Sequence, residues 1–258
     1  MSNILTTDFL IVFLIFLRIL FAFVAAPIYG HQAIPALTKV FLAFIIAYII
    51  FSTLDTSSVT VEVSLLWIAI NGIKEILTGL IIGFSLNIVF YGISFAGTLI
   101  GFEIGLSMAT IFNPVDESSA NVIGQLIYFL AMFVFFIING HHYVIQALVS
   151  SFYVAPLGVT AITGPITELL IKYSASVFII AVKISAPILV SFFMIQIAEG
   201  ILARVIPQMQ VFFVTYPIKL AVGFLIMGSL IPLYVTVIKS LLQDFESKLF
   251  TIVRVLGT

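Results

Sequence analysis

Apolar positions along this chain come in long runs that charged residues barely interrupt. No Asp, Glu, Lys or Arg occurs in 19–38, 40–54, 76–102, 118–167, 184–198, 205–218 or 220–238. A helix that crosses a bilayer needs about 20 mostly apolar residues. The runs therefore predict membrane-spanning helices near 9–26, 38–54, 64–102, 122–138, 173–198 and 211–238. Period-two alternation is absent, which argues against an outer-membrane barrel, so the expected class is an all-α integral membrane protein. The third stretch is too long for one straight crossing, so it is expected to be broken, strongly tilted or partly outside the membrane. Lys74 and Glu75 sit inside it, flanked by Gly72 and Gly79, and a break is expected there. Residues 155–167, with Pro156, Gly158, Gly164 and Pro165, predict a turn-rich connection.

Composition agrees with this pattern. Of 258 residues 62% are hydrophobic and 8% charged, against about 25% charged in a soluble domain. A soluble globule of this size could not cover so much apolar surface. The net charge of −1 offers no basic excess for nucleic acid. Without cysteine, disulfides, zinc ribbons and thiol nucleophiles are excluded. The first apolar segment lacks a basic flank and contains Arg18, so it is expected to remain in the mature protein rather than act as a signal peptide. The few Lys and Arg residues give conflicting orientations under the positive-inside rule, which implies an incorrect span count or helices that are not ordinary crossings.

Nucleotide-binding, zinc-protease and hydrolase motifs do not occur. His141 and His142 are adjacent, about 100° apart on a helix, and would not chelate one metal together. No cofactor is expected. Gly97, Gly101 and Gly105 recur every four residues, a small-residue stripe that lets a helix approach closely, within this chain or from another. Glu103 lies opposite that stripe, with Ser107 and Thr110 at i+4 and i+7 on its face. A carboxylate in lipid costs roughly 2.5–3.5 kcal/mol, so Glu103 is expected either to face a cavity, a cation or water, or to mark a span end. The apolar segment that follows contains Met108, Ile111, Phe112, Asn113 and Pro114. It can seal a pore or serve as a plain buried connection. Arg18, Lys74, Glu75, Lys183, Glu199, Arg204 and Lys219 are the other charges within apolar surroundings. They are too sparse for a secondary transporter's ion site, and interfacial or intersubunit pairing is the better reading. Pro207 ends or kinks the helix before it. Arg204 and Gln208 flank it and can serve the resulting turn.

Four elements in order resemble the FliR family of flagellar type III export-gate proteins. Ala203-Arg204-Val205-Ile206-Pro207-Gln208-Met209-Gln210-Val211-Phe212, continuing to Tyr216-Pro217-Ile218-Lys219 and Gly223, is similar to the family signature. Gly105-Leu106-Ser107-Met108-Ala109-Thr110 with Asn113-Pro114 resembles its central loop. Asn139-Gly140-His141-His142 and Ala26-Pro27 through Ile34-Pro35 resemble two further hallmarks. The resemblance covers essentially the whole chain. It implies a non-enzymatic gate subunit in the bacterial inner membrane, at the flagellar basal body. A FliP-like part, 1–165, would contain the plug loop 106–121. A FliQ-like helical hairpin and tail, 166–258, would follow. The implied partners are FliP-like, FliQ-like, FlhB-like and FlhA-like subunits, membrane lipid and unfolded flagellar substrates. Virulence-secretion relatives share the Arg-x-x-Pro-Gln segment, but the Asn-Gly-His-His element looks more flagellar. A secondary transporter would require matching interrupted helices in two halves, and no clear internal repeat is present.

Overall fold

The computed structural model describes residues 2–31, 33–54, 62–106, 122–158 and 164–257. Among them are eight helices and no strand: α1 (Ser2–Ala25), α2 (Ala36–Thr53), α3 (Leu65–Ile104), α4 (Val122–Ile137), α5 (Gly140–Val154), α6 (Gly164–Val205), α7 (Val211–Ser229) and α8 (Ile231–Val255). Four of them, α1, α2, α3 and α6, are individually long and apolar enough to cross a membrane. The number rises to six if α4 with α5, and α7 with α8, each form one span. The all-helical class matches the sequence pattern, but the helix expected over 211–238 is divided at Leu230 into α7 and α8, which are bent by 57°.

The expected break near Lys74 and Glu75 is absent. α3 runs 40 residues without interruption, about 60 Å at 1.5 Å per residue, twice a hydrocarbon core of about 30 Å. α6 is longer still, at 42 residues, with Pro187 inside it. Residue contacts divide the chain into two units. The first comprises Met1–Ile88, Asn139–Ser174 and Gln243–Thr258; the second comprises Val89–Ile138 and Ala175–Leu242.

In the first unit, Ile11, Leu14, Ile15, Ile19, Ala22 and Phe23 form the buried face of α1, at the three- and four-residue spacing of one helical stripe. α3 comes close to that helix through glycines. A Cβ at Gly79 would collide with the Arg18 carbonyl oxygen, and one at Gly83 with that of Ala22. The approach carries Arg18 to Glu75, and the two side chains, both fully buried, pair at 2.5 Å. The Arg18 guanidinium also donates to the Ser151 carbonyl (3.1 Å), the Ser151 hydroxyl (3.2 Å) and the Ala155 carbonyl (3.0 Å), and it lies 4.2 Å over the Phe152 ring. Both carbonyls lie at the C-terminal end of α5, where a cation is favoured; that of Ser151 also accepts the Ala155 N–H at 2.9 Å, while the Ala155 carbonyl lies beyond the last helical turn. Glu75 uses its second oxygen to accept the Gly158 N–H at 3.1 Å, and Lys74 donates to the Gly158 carbonyl at 2.9 Å. Gly158 has φ +79, in the left-handed region that glycine tolerates. The charges expected to break α3 therefore hold the turn after α5. Between α1 and α2, the Tyr29 hydroxyl donates to the His141 carbonyl at 3.3 Å. Burial pushes that phenol up to about 12, so it stays a neutral donor at physiological pH.

In the second unit, Phe90 makes edge contacts with Tyr128 and Phe135 of α4, and Phe95 meets Phe178 of α6 edge-on. Gly105, φ +95, stops α3. The Gly105 N–H bonds to the Phe102 carbonyl and the Leu106 N–H to the Gly101 carbonyl, the pattern of a glycine-terminated helix end. Gly105 thus caps the helix rather than continuing a stripe along it. Ser107 and Thr110 follow the end of α3 and lie outside the described residues.

Replacing Arg18 by Met should lower stability by about 3–5 kcal/mol, the usual cost of leaving one member of a buried pair uncompensated. Arg18→Met combined with Glu75→Leu should recover most of that loss. The amount and heat resistance of the chain in isolated membranes check both; a single variant as stable as the parent would refute the assignment.

Candidate functional site at the α6–α7 hairpin

Several polar groups of the second unit gather towards the turn from α6 into α7. Gln196, Glu199, Gly200 and Ala203 follow one another at i, i+3, i+4 and i+7 on α6 and share a face. Val211, Thr215 and Lys219 do so at i, i+4 and i+8 on α7. The two stripes line a cleft of about 440 Å³. Lys219 Nζ lies 2.6 Å from Glu199 Oε2, with both side chains 14% exposed. The other carboxylate oxygen of Glu199 is buried without a hydrogen-bond partner among the described residues. One turn earlier on α6, Gln196 Nε2 donates to Glu103 Oε2 at 2.8 Å. The hydroxyl of Tyr216 donates to the Gly105 carbonyl at 3.1 Å, and its ring lies against the Gly105 Cα. Gly223 receives the Ile104 side chain. The end of α3 is thereby fastened to both arms of the hairpin.

Of the residues singled out from the sequence, Glu103 is half-buried and answered by an amide. Gly97 packs against α4 within the chain, so closely that a Cβ would collide with the Gly124 backbone. At Gly101 a Cβ would meet Ile123 at an ordinary 3.8 Å. Arg204 lies in the last turn of α6; Pro207 and Gln208 lie in the connection to α7, and all three are exposed. Neither the Arg204 nor the Gln208 side chain forms a hydrogen bond or ion pair among the described residues. Met108, Ile111, Phe112, Asn113 and Pro114, together with Ser107 and Thr110, lie outside the described residues, so the structure does not place them against Glu103.

Spacing along a single helix does not reveal the Glu199–Lys219 pair, because its members lie on different arms of the hairpin. The hairpin itself carried the signal. Glu199 lies ten residues before Met209 and Lys219 ten after it, and residues equidistant from a tight turn face one another across antiparallel helices. The groups assembled here are an ion pair, an amide–carboxylate bond and a phenol on a backbone carbonyl. They fasten helices and comprise no nucleophile paired with a base.

Residues 9–245 match the family described as bacterial export proteins, family 1. The chain is 34% identical over 218 residues to the flagellar biosynthetic protein FliR of Bacillus subtilis (strain 168), covering 83% of each chain. It is 32% identical to that of Pectobacterium carotovorum subsp. carotovorum, covering 84% of this chain and 83% of the other. With the FliR of Escherichia coli (strain K12) it shares 29% identity, over 92% of this chain and 90% of the other.

The two glycines should respond differently to a methyl group. Gly97→Ala forces α3 away from the α4 backbone and should cost about 1–3 kcal/mol. Gly101→Ala has room, and replacing a helical glycine should offset any crowding by about 1 kcal/mol. Thermal denaturation of the two variants in detergent gives the order; equal stability would show that the α3–α4 approach is not close.

Proposed function

The chain belongs to the FliR family of bacterial export proteins, and we propose that this component of flagellar export is a non-enzymatic subunit of the gate that passes unfolded flagellar proteins across the inner membrane at the basal body. The observation that carries the reading is end-to-end similarity to flagellar relatives, over 83% of both chains in the Bacillus case. Membrane-length helices fastened by ion pairs and glycine contacts support it, since such groups hold an assembly together rather than turn over a substrate.

In this reading residues 1–165 form a FliP-like part and residues 166–258 a FliQ-like helical hairpin with its tail. FliP-like and FliQ-like subunits complete the pore wall, and FlhB-like and FlhA-like proteins associate with it. Arg204 and Gln208, exposed at the hairpin turn, are offered outward to those chains. The glycine cap at Gly105 ends α3 immediately before the segment assigned as plug, and Tyr216 holds that cap in place. The apolar side chains Met108, Ile111 and Phe112 exclude water from the closed gate, and the flexible thioether of Met108 conforms to irregular cargo. Glu103, Ser107 and Thr110 present the polar side of the same passage.

Co-expression with the neighbouring genes, followed by mass measurement of the detergent-extracted particle, tests the reading. A large hetero-oligomer is expected; a lone monomer or dimer would favour a transporter.

Deleting 106–121 tests the plug separately. The complex should still assemble while the membrane becomes measurably more permeable to ions. An assembled deletion complex as ion-tight as the parent would locate the seal in other subunits.

A further inference from the structure

The helices that lead into and out of 106–121, α3 and α4, pack antiparallel. Their contacts run in opposite order: Gly101 opposes Ile123, Gly97 opposes Gly124, and Phe90 meets Tyr128 and Phe135. The opposed glycines mark the contact line. At about 100° per residue, Ser94, Thr98 and Tyr91 turn about 60°, 100° and 120° away from that line on α3. Tyr128 and Gln125 turn about 40° and 100° away on α4, in the same rotational sense. In antiparallel helices equal senses lead to the same side, so these five residues border one face of the pair. The electrostatic influence of Tyr91 on Tyr128 agrees with that placement. Tyr91 is 56% exposed, Gln125 is exposed, and Ser94, Thr98 and Tyr128 are half-buried.

All five are polar and none is charged; no Asp, Glu, Lys or Arg occurs in 76–102 or 118–167. The Gln125 amide and the Tyr91 phenol have no hydrogen-bond partner among the described residues. Hydrocarbon leaves such groups unanswered, at a cost. A helix of another subunit has its backbone groups already bonded within itself, so it could answer them only with side chains matched to each position. An extended chain differs. Each of its residues except proline offers both an N–H and a C=O, and amide and hydroxyl groups can serve either. The missing charge suits the same occupant. A fixed charge would retain segments of opposite sign, whereas a passage must bind weakly enough to release. Position points the same way. Thr98 lies six residues before the last residue of α3 and Gln125 three after the first of α4, so the face leads to both ends of the segment assigned as plug.

The geometry points to Tyr91, Ser94 and Thr98 of α3, with Gln125 and Tyr128 of α4, as a neutral hydrogen-bonding lane along which an extended polypeptide slides. From Tyr91 to Thr98 it covers about 10 Å of helix, room for about three extended residues. This deepens the proposed function and rests on it, because it names the face of this chain that meets the exported polypeptide and the chemistry by which that face accepts any sequence.

A photo-crosslinking phenylalanine analogue in place of Tyr91 or Gln125, activated in cells carrying the full export apparatus, should form an adduct with a flagellar substrate stalled in transit by a fused folded domain. The same analogue at Phe133, exposed on α4 and turned about 180° from Gly124, should not. Adducts at Tyr91 and Gln125 with another subunit or with lipid alone, in complexes that export, overturn the lane. Charge provides a second readout. Thr98→Lys should slow export of an acidic substrate about tenfold relative to a basic one, and Thr98→Glu should reverse that preference. Equal effects on both substrates also overturn the lane. Where a charged variant fails to accumulate, the adducts decide. A substrate adduct at Met108 with none at Tyr91 or Gln125 removes the lane and leaves the functional reading standing. Undiminished export in cells deleted for this chain removes the functional reading itself.

Discussion

A single ion pair buried between α1 and α3 governs how the first unit can fold. Arg18 and Glu75 have no solvent exposure, and neither charge is tolerable there alone. The sequence brings them together through Gly79, one helical turn after Glu75. Because a side chain at that point would collide with the Arg18 carbonyl, only glycine lets the α1 backbone settle where the guanidinium can reach. The same guanidinium satisfies carbonyls at the end of α5, so one side chain ties three helices and closes a helix terminus. Its remaining amino group, Nη2, has no acceptor among the described residues. The network therefore lacks an acceptor at that position.

The second unit solves the same problem with different parts. Its close approach is Gly97 on Gly124, its charge pair is Glu199 with Lys219, and its helix end is fixed by Tyr216 on Gly105. The pair bridges the two arms of one hairpin rather than helices distant in sequence. It is also slightly exposed, which reduces the desolvation that a buried pair must overcome. The Arg18 pair is thus a condition for the first unit's packing, whereas the Glu199 pair mainly sets how α6 and α7 register against each other.

The spans were legible because lipid demands a minimum apolar length, and charge-free runs record that demand directly. What misled was reading each charge by its neighbours in sequence. Lys74 and Glu75 suggested a broken helix, yet the partner of Glu75 lies 57 residues earlier, and a neutralised charge gives no reason to break. The glycine spacing identified a close-packed face but could not say that its partner was α4, nor that Gly105 turns out of the helix instead of extending it. At the hairpin, Pro207 marked the turn, while the pairing of Glu199 depended on counting outward from that turn in both directions. The loop with Met108, Ile111 and Phe112 was conspicuous for its apolar character, but side-chain geometry there lies outside the described residues.

Exposed apolar surface on this molecule is of two kinds, and the distinction rests on polar residues. α2 has only 17% of its most apolar window buried, compared with 67% for α3. Leu37, Phe41, Phe44, Ile45, Tyr48 and Ile49 project from it, and residues 40–54 carry no charge. The exposed side chains just named include no small residue for close backbone approach and no formal charge. α6, with 33% of its window buried, is also largely exposed, but it interrupts the same kind of apolar surface with Lys183, whose charge is costly in hydrocarbon. A buried surface is shaped by what it touches, and an exposed membrane surface can be read in the same way. Uniform apolarity asks only for hydrocarbon. A charge placed in its midst asks for surroundings that hydrocarbon does not supply.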